Sequence, residues 1–265
     1  MALRLTSPVQ SLGADTIRLV QEMGALLIFF VQGVGLAFVR PFKPRRTLEQ
    51  VHFIGFKSLL VILLTGGFTG MVLGLQGYYT LVRFGSEGML GALVSLTLIR
   101  EIGPVFTAIM ITARAGSAMS AEIGIMRISE QIDALKTMDI HPVRFLLTPR
   151  LLASLVCFPL LTALYDLVGI FGGYLSGSIL LGSNPAIYMD RVRESVEMND
   201  ITGGFTKSFV FAVLVCSVCC YMGYTTHRRA DGFGARGVSR STTTAVVLSS
   251  VLILVADYVL TSFLL

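Results

Sequence analysis

Apolar residues run along this chain in blocks too long and too continuous to be one face of a soluble helix. Residues 59–82, 151–182, 208–224 and 245–265 are four such blocks, and residues 88–113 form a fifth if Arg100 and Glu101 are tolerated inside it. A helix needs roughly 20 apolar residues to cross about 30 Å of hydrocarbon, so each block predicts a span. Residues 23–39 form a shorter run behind Asp15, Arg18 and Glu22. That pattern predicts an amphipathic anchor lying along the interface, a sixth span being the alternative. The fold class read from the pattern is all-α: a polytopic membrane protein with an N-terminal interfacial (elbow) helix region over residues 1–50 and five transmembrane helices over residues 51–265.

Composition agrees, with 54% hydrophobic residues, 14% charged residues and a mean hydropathy of +0.76 over 265 residues. That balance leaves no room for a sizeable soluble domain beside five spans. The opening MALRLTSPVQSLGADTIRLVQEMG has no compact basic, apolar and small-residue order, so no cleavable signal is read there. Loop charge then sets topology. Arg40, Lys43, Arg45 and Arg46 precede the first span; Arg114, Arg127, Lys136, Arg144 and Arg150 follow the second; Arg228, Arg229, Arg236 and Arg240 separate the last two. The alternate loops carry Arg83, Arg191 and Arg193. The positive-inside rule therefore predicts a cytoplasmic N-terminus and a C-terminus on the far side, and it assigns the net charge of +5 to topology rather than to nucleic acid.

Several chemistries find no support in the residues. His52, His141 and His227 sit near membrane edges or in loops, without a matching serine or metal-ligand spacing, so neither catalytic nor metal residues are assigned. Cys157, Cys216, Cys219 and Cys220 lie inside apolar runs and read as packing residues rather than zinc ligands or a disulfide framework. No GxxxxGK[ST] loop occurs, so no ATP cofactor is expected on this chain and energy has to come from a partner or an ion gradient.

The informative polar residues are inside the spans. Arg100 and Glu101 stand twelve residues from either end of the 88–113 block, which predicts a position near the bilayer centre. Neighbours on a helix do not face each other, so each charge needs a partner elsewhere, in a bundle interior or a hydrated cavity. Gly103 and Pro104 follow at once and predict a loosened helix. Arg100 suits a phosphate, because its planar fork can donate two hydrogen bonds to one oxyanion. Gln76 and Tyr78, near the end of the first span, are further candidate substrate contacts. Asp166 and Asp257 are intramembrane acids that, with Glu101, define the rival reading of an ion-coupled secondary carrier. Two glycine triplets, Gly66/Gly70/Gly74 and Gly169/Gly173/Gly177, predict flat helix faces for close packing. Between the second and third spans, Ile125, Ile128, Ile132 and Leu135 recur at helical spacing beside Glu122, Arg127, Glu130 and Asp133, which predicts an amphipathic surface helix able to dock a partner. Asn184 and Pro185 are placed as a helix start in the segment between the third and fourth spans. Five spans without an internal repeat are few to enclose a two-tailed lipid, so a second copy is expected.

The segments GMVLGLQGY (70–78), LIREIGPV (98–105) and ARAGSAMSAEIGIMRISEQIDAL (113–135), in that order, resemble the signature of the MlaE-type permease family. The resemblance covers at least residues 50–265. It implies the permease subunit of an ABC transporter that moves phospholipids between the two membranes of Gram-negative cells. It further implies an inner-membrane homodimer sharing one lipid cavity lined by Arg100 and Glu101. A cytoplasmic ATPase would carry the ATP and Mg, a ring of MCE-domain subunits would sit on the periplasmic side, and a small STAS-type protein would bind the ATPase. The coupling helix to that ATPase would be the segment bearing Glu122, Arg127, Glu130 and Asp133. The run EQIDALKTMDIHPVRFLLTP is also loosely similar to the EAA-type loop of other ABC importers, with Asp139 where that loop carries glycine.

Overall fold

The computed structural model describes residues 6–37, 44–228 and 234–264. Arg4, Arg40, Lys43, Arg229, Leu265 and the end of the 23–39 run lie outside the described residues, as do the side chains of Asp15, Arg18 and Arg228. The helices are α1 (Thr6–Ala37), α2 (Pro44–Ile54), α3 (Leu59–Val82), α4 (Leu90–Thr97), α5 (Gly103–Ile111), α6 (Ser117–Ile128), α7 (Gln131–Thr137), α8 (Pro142–Tyr174), α9 (Pro185–Ser195), α10 (Met198–Tyr224) and α11 (Gly234–Leu264). No strand occurs among the described residues. π-helical segments Leu98–Ile102 and Thr112–Gly116 join α4, α5 and α6 into one continuous rod, and Leu175–Leu180 prolongs α8.

Five rods are long and apolar enough to span: Pro44–Val82, Glu87–Ile128, Pro142–Leu180, Met198–Tyr224 and Gly234–Leu264. The shortest has 27 residues, about 40 Å at the helical rise. All of them are therefore longer than the roughly 30 Å that the hydrocarbon core requires. Among the described residues the apolar stretch of α1 is Val20–Gly33. It packs through Phe29, whose ring lies 5.7 Å from that of Tyr221 and 5.6 Å from that of Tyr224.

Helix ends follow from local chemistry. Proline at the first helical position of α2, α8 and α9 gives up an N–H that would be unpaired there anyway. Asn184 caps α9 by accepting the Ala186 N–H at 3.0 Å, the start that Asn184–Pro185 predicted. A capping box links Glu197 and Asp200 at the start of α10.

The glycine faces pack closely, as their spacing predicts, and that of α3 lies against α8. Gly66, Gly70 and Gly74 of α3 lie against Tyr165, Gly169 and Gly173 of α8, so close that a Cβ on Gly70 would overlap the Gly169 carbonyl. Tyr165 then donates to Thr69 at 3.0 Å across the same seam.

The amphipathic stretch after the second span differs from the expected single helix. The spanning rod continues through Ile128, and the chain then breaks at Ser129 and Glu130, where Glu130 adopts φ +56 before α7 starts. Ile125 is exposed while Ile132 is buried, so the isoleucines do not form one ridge. Asp139, at the EAA-type glycine position, also has φ +56. Aspartate tolerates that left-handed conformation better than most residues.

Candidate functional site

Pro104 is the origin of the site. It has no N–H to donate to the carbonyl of Arg100 one turn earlier, and the backbone relaxes into the π segment Leu98–Ile102. The carbonyl finds its donor in another helix: Nζ of Lys207, on α10, lies 2.9 Å away. Lys207 is almost fully buried, and its three protons are all used, on Arg100 O, on Glu101 Oε2 at 2.8 Å and on Thr261 Oγ1 at 2.7 Å. Thr261 in turn donates toward Glu101 Oε1 at 3.2 Å. Asp257 Oδ1 stands 3.0 Å from the same ammonium and is held by charge, with no N–H left for it.

Arg100 projects the other way. Its Nε donates to Asp200 Oδ1 at 2.7 Å, and Asp200 Oδ2 accepts the Glu197 N–H at 3.1 Å, so the α10 capping box also aims the guanidinium. The two terminal nitrogens of Arg100 have no partner among the described residues, and the side chain is 42% exposed. It lines a cavity of about 110 Å³ together with Glu101, Asn199, Asp200, Thr202, Gly203, Lys207 and Thr261. Such a wall offers an oxyanion a planar fork, hydroxyls and an amide.

Along its rod the charged pair lies nearer the start than the end. Arg100 is 13 residues from Glu87 and 28 from Ile128, by their numbers. Arg100 pairs with Asp200, in the first turn of α10, and Glu101 with Thr261, in the last turn of α11. The second rod runs on past Ala113, where the apolar block ends, without a breaker. Gln76 and Tyr78 are not among the residues lining this cavity. They lie on α3, whose packing is mostly on α8 and α4, so one chain does not bring them to Arg100. Asp166 and Asp257 also part company. Asp257 belongs to the Lys207 cluster, whereas Asp166 lines a second cavity of about 150 Å³ between α8 and α10 and packs against Gly103.

Lys207 and Asp200 were missed by reading the sequence. The fourth apolar block begins at Ser208, so Lys207 fell at its edge and Asp200 in a loop. The missed signal was the cap: Glu197 followed three residues later by Asp200 starts the helix ten residues earlier and carries Lys207 into the bundle.

At the opposite end, three of the four residues proposed for docking are tied within the chain. Glu122 pairs with Arg150 of α8 at 2.8 Å. Arg127 donates to Asp133 at 2.9 Å and to Nδ1 of His227 at 2.9 Å, and lies over the Tyr224 ring. Lys136, and after it Arg127, hold the Asp133 carboxyl below the usual carboxylate range. This clamp is therefore complete above ordinary carboxylate pKa values and is lost only as pH falls through that lowered value. Glu130 is exposed at the turn. Among the described residues no group of three His, Cys, Asp or Glu side chains is placed to hold a metal ion, and Cys216, Cys219 and Cys220 are buried thiols between α10 and its neighbours.

Five membrane-length helices, three of which line a polar cavity walled by charged side chains, make this a polytopic membrane protein of permease type. Residues 47–263 match the family described as Permease MlaE, and the chain belongs to that family. A probable ABC transporter permease protein of Rickettsia bellii is 38% identical over 257 residues, 97% of each chain. The intermembrane phospholipid transport system permease protein MlaE of Haemophilus influenzae is 38% identical over 96% of each chain. The chloroplastic protein TRIGALACTOSYLDIACYLGLYCEROL 1 of Arabidopsis thaliana is 39% identical over 83% of this chain and 61% of its own.

Proposed function

We propose that this chain is the membrane subunit of an ABC transporter that moves phospholipids between the inner and outer membranes, with the lipid phosphate at Arg100. The observation that carries the reading is a guanidinium aimed by Asp200 into a cavity, with both terminal nitrogens free to donate. It is a transport subunit and not an enzyme; ATP and Mg belong to a separate cytoplasmic ATPase. The positive-inside pattern orients the α6–α7 end toward the cytoplasm and the Arg100 cavity, α9 and the C-terminus toward the periplasm. The sequence then divides into an interfacial region over residues 1–50 and a permease domain over 51–265.

A cavity of about 110 Å³ is well below the roughly 300–1,000 Å³ that houses a drug-sized ligand. It suits a phosphate but not two acyl chains, which supports a homodimer whose second copy completes the chamber. Gln76 and Tyr78 reach lipid in this scheme only across that larger chamber. Segment 122–135 meets the ATPase; the MCE-domain ring rests over α9, and the STAS-type protein acts on the ATPase. Within that segment Glu130 faces outward, while Glu122, Arg127 and Asp133 fix its shape.

Two outcomes are expected. Arg100→Glu in the purified complex loses phospholipid relative to wild type by on the order of 10- to 100-fold, the worth of a charge-assisted pair of hydrogen bonds at about 1.5–3 kcal/mol. Phosphorus analysis after gentle detergent extraction reads this, and wild-type lipid content would defeat the assignment. Arg127→Glu frees α7 from α10 and reduces both ATPase recovery on the affinity-tagged permease and lipid-stimulated ATP hydrolysis. Full recovery with normal stimulation would remove segment 122–135 from the coupling route.

A further inference from the structure

The charge count of the Arg100 cavity and the Lys207 cluster behind it is out of balance with an anionic cargo. Arg100 and Lys207 bring two positive charges, whereas Glu101, Asp200 and Asp257 bring three carboxyls. Fully ionised, the cluster is already a net anion. A phosphodiester entering it adds a further negative charge in surroundings of low effective dielectric, where like charges repel strongly. Either the anion is turned away or one carboxyl takes a proton.

The geometry distinguishes the carboxyls. Both oxygens of Asp200 accept hydrogen bonds, from Arg100 Nε and from the Glu197 N–H. Glu101 and Asp257 instead face the same ammonium, at 2.8 and 3.0 Å from Lys207 Nζ. Glu101 receives one of its N–H groups, Arg100 O and Thr261 take the others, and Asp257 Oδ1 is left without a donor among the described residues. Two carboxyls crowded around one cation, with too few donors for both, form the arrangement in which a pair shares a proton. The surrounding elements present few other charges to this pair. The π segment gives Arg100, and α10 gives Lys207 and Asp200. α5 has no titratable side chain, Tyr258 of α11 is 77% exposed, and Asp166 lines the other cavity.

We propose that Glu101 and Asp257 form a proton-binding site linked to cargo: the cavity takes up one proton from water as a phosphodiester settles on Arg100, and gives it back when the lipid leaves. This rests on the phosphate reading above and adds its regulation. The proton joins a carboxylate oxygen of the pair, and no bond of the lipid changes. One proton on the pair offsets the charge of the phosphodiester, so the loaded cavity carries the same net charge as the empty one. Release into a compartment of higher pH is thereby favoured.

The test is a binding titration of the purified wild-type complex with a short-chain phosphatidylglycerol, whose phosphodiester stays singly negative from pH 5 to pH 8. The expected result is affinity that falls as pH rises, approaching about tenfold per pH unit, the slope of one linked proton, with uptake of one proton per bound lipid in weakly buffered solution. Asp257→Asn, which mimics a protonated carboxyl, is expected to bind with a flattened slope. Saturable, Arg100-dependent binding of constant affinity across that range, without proton uptake, overturns the proton site and leaves the phosphate assignment standing. Binding that Arg100→Glu does not weaken overturns both. The wild-type titration decides the matter even where Asp257→Asn does not accumulate.

Discussion

Lys207→Met is expected to cost the folded chain about 3–5 kcal/mol, the usual penalty for stripping one partner from a buried ion pair. Lys207 is only 2% exposed, and removing its ammonium leaves Glu101 and Asp257 facing each other without a cation, while the Arg100 carbonyl loses the donor that Pro104 cannot supply. The measurement is the denaturant midpoint of the purified chain in detergent, beside its yield from membranes. Adding Glu101→Gln and Asp257→Asn to Lys207→Met is expected to recover a good part of the loss, because the uncompensated charge is then gone. A wild-type midpoint for the single variant would mean that the cluster is hydrated rather than enclosed.

Gly70→Val is expected to be at least as damaging, for a steric reason. The new side chain meets the backbone carbonyl of Gly169, not the tip of a flexible side chain. Overpacking a core costs typically about 1–3 kcal/mol where neighbours can shift. Here relief requires α3 and α8 to part along a seam that also holds Gly66, Gly74, Gly173 and the Tyr165–Thr69 hydrogen bond. Folded protein recovered from membranes should drop sharply. Gly24→Ala in α1, where nothing lies within 4 Å of the added carbon, should be neutral or slightly stabilising from helix propensity, about 1 kcal/mol at most. Equal behaviour of the two variants would argue that α3 and α8 are not in contact as described.

Both predictions concern residues that differ in how they could be read. Gly70 was legible from its spacing of four, because helical periodicity alone puts Gly66, Gly70 and Gly74 on one face. Arg100 was legible because charge inside an apolar block is costly and demands a polar setting. Lys207 was not, although it obeys the same rule. Its block seemed to begin one residue later, and only the Glu197–Asp200 cap reveals that the helix starts well before it. The amphipathic stretch was half legible. Its isoleucine spacing is helical, but the left-handed turn at Glu130 and the clamp from Arg127 to Asp133 and His227 divide it in two.

The sequence by itself determined the membrane class, the five spans, the orienting charge pattern and the glycine faces, because hydrophobicity and helical periodicity are local properties. Only the tertiary structure decided who answers Arg100 and Glu101. Asp200, Lys207, Asp257 and Thr261 are about 100 to 160 positions away along the chain. Which of them arrives is set by how far each rod slides against its neighbours. That slide also left Gln76 and Tyr78 outside the cavity, since sums of local preference carry no information about register between helices.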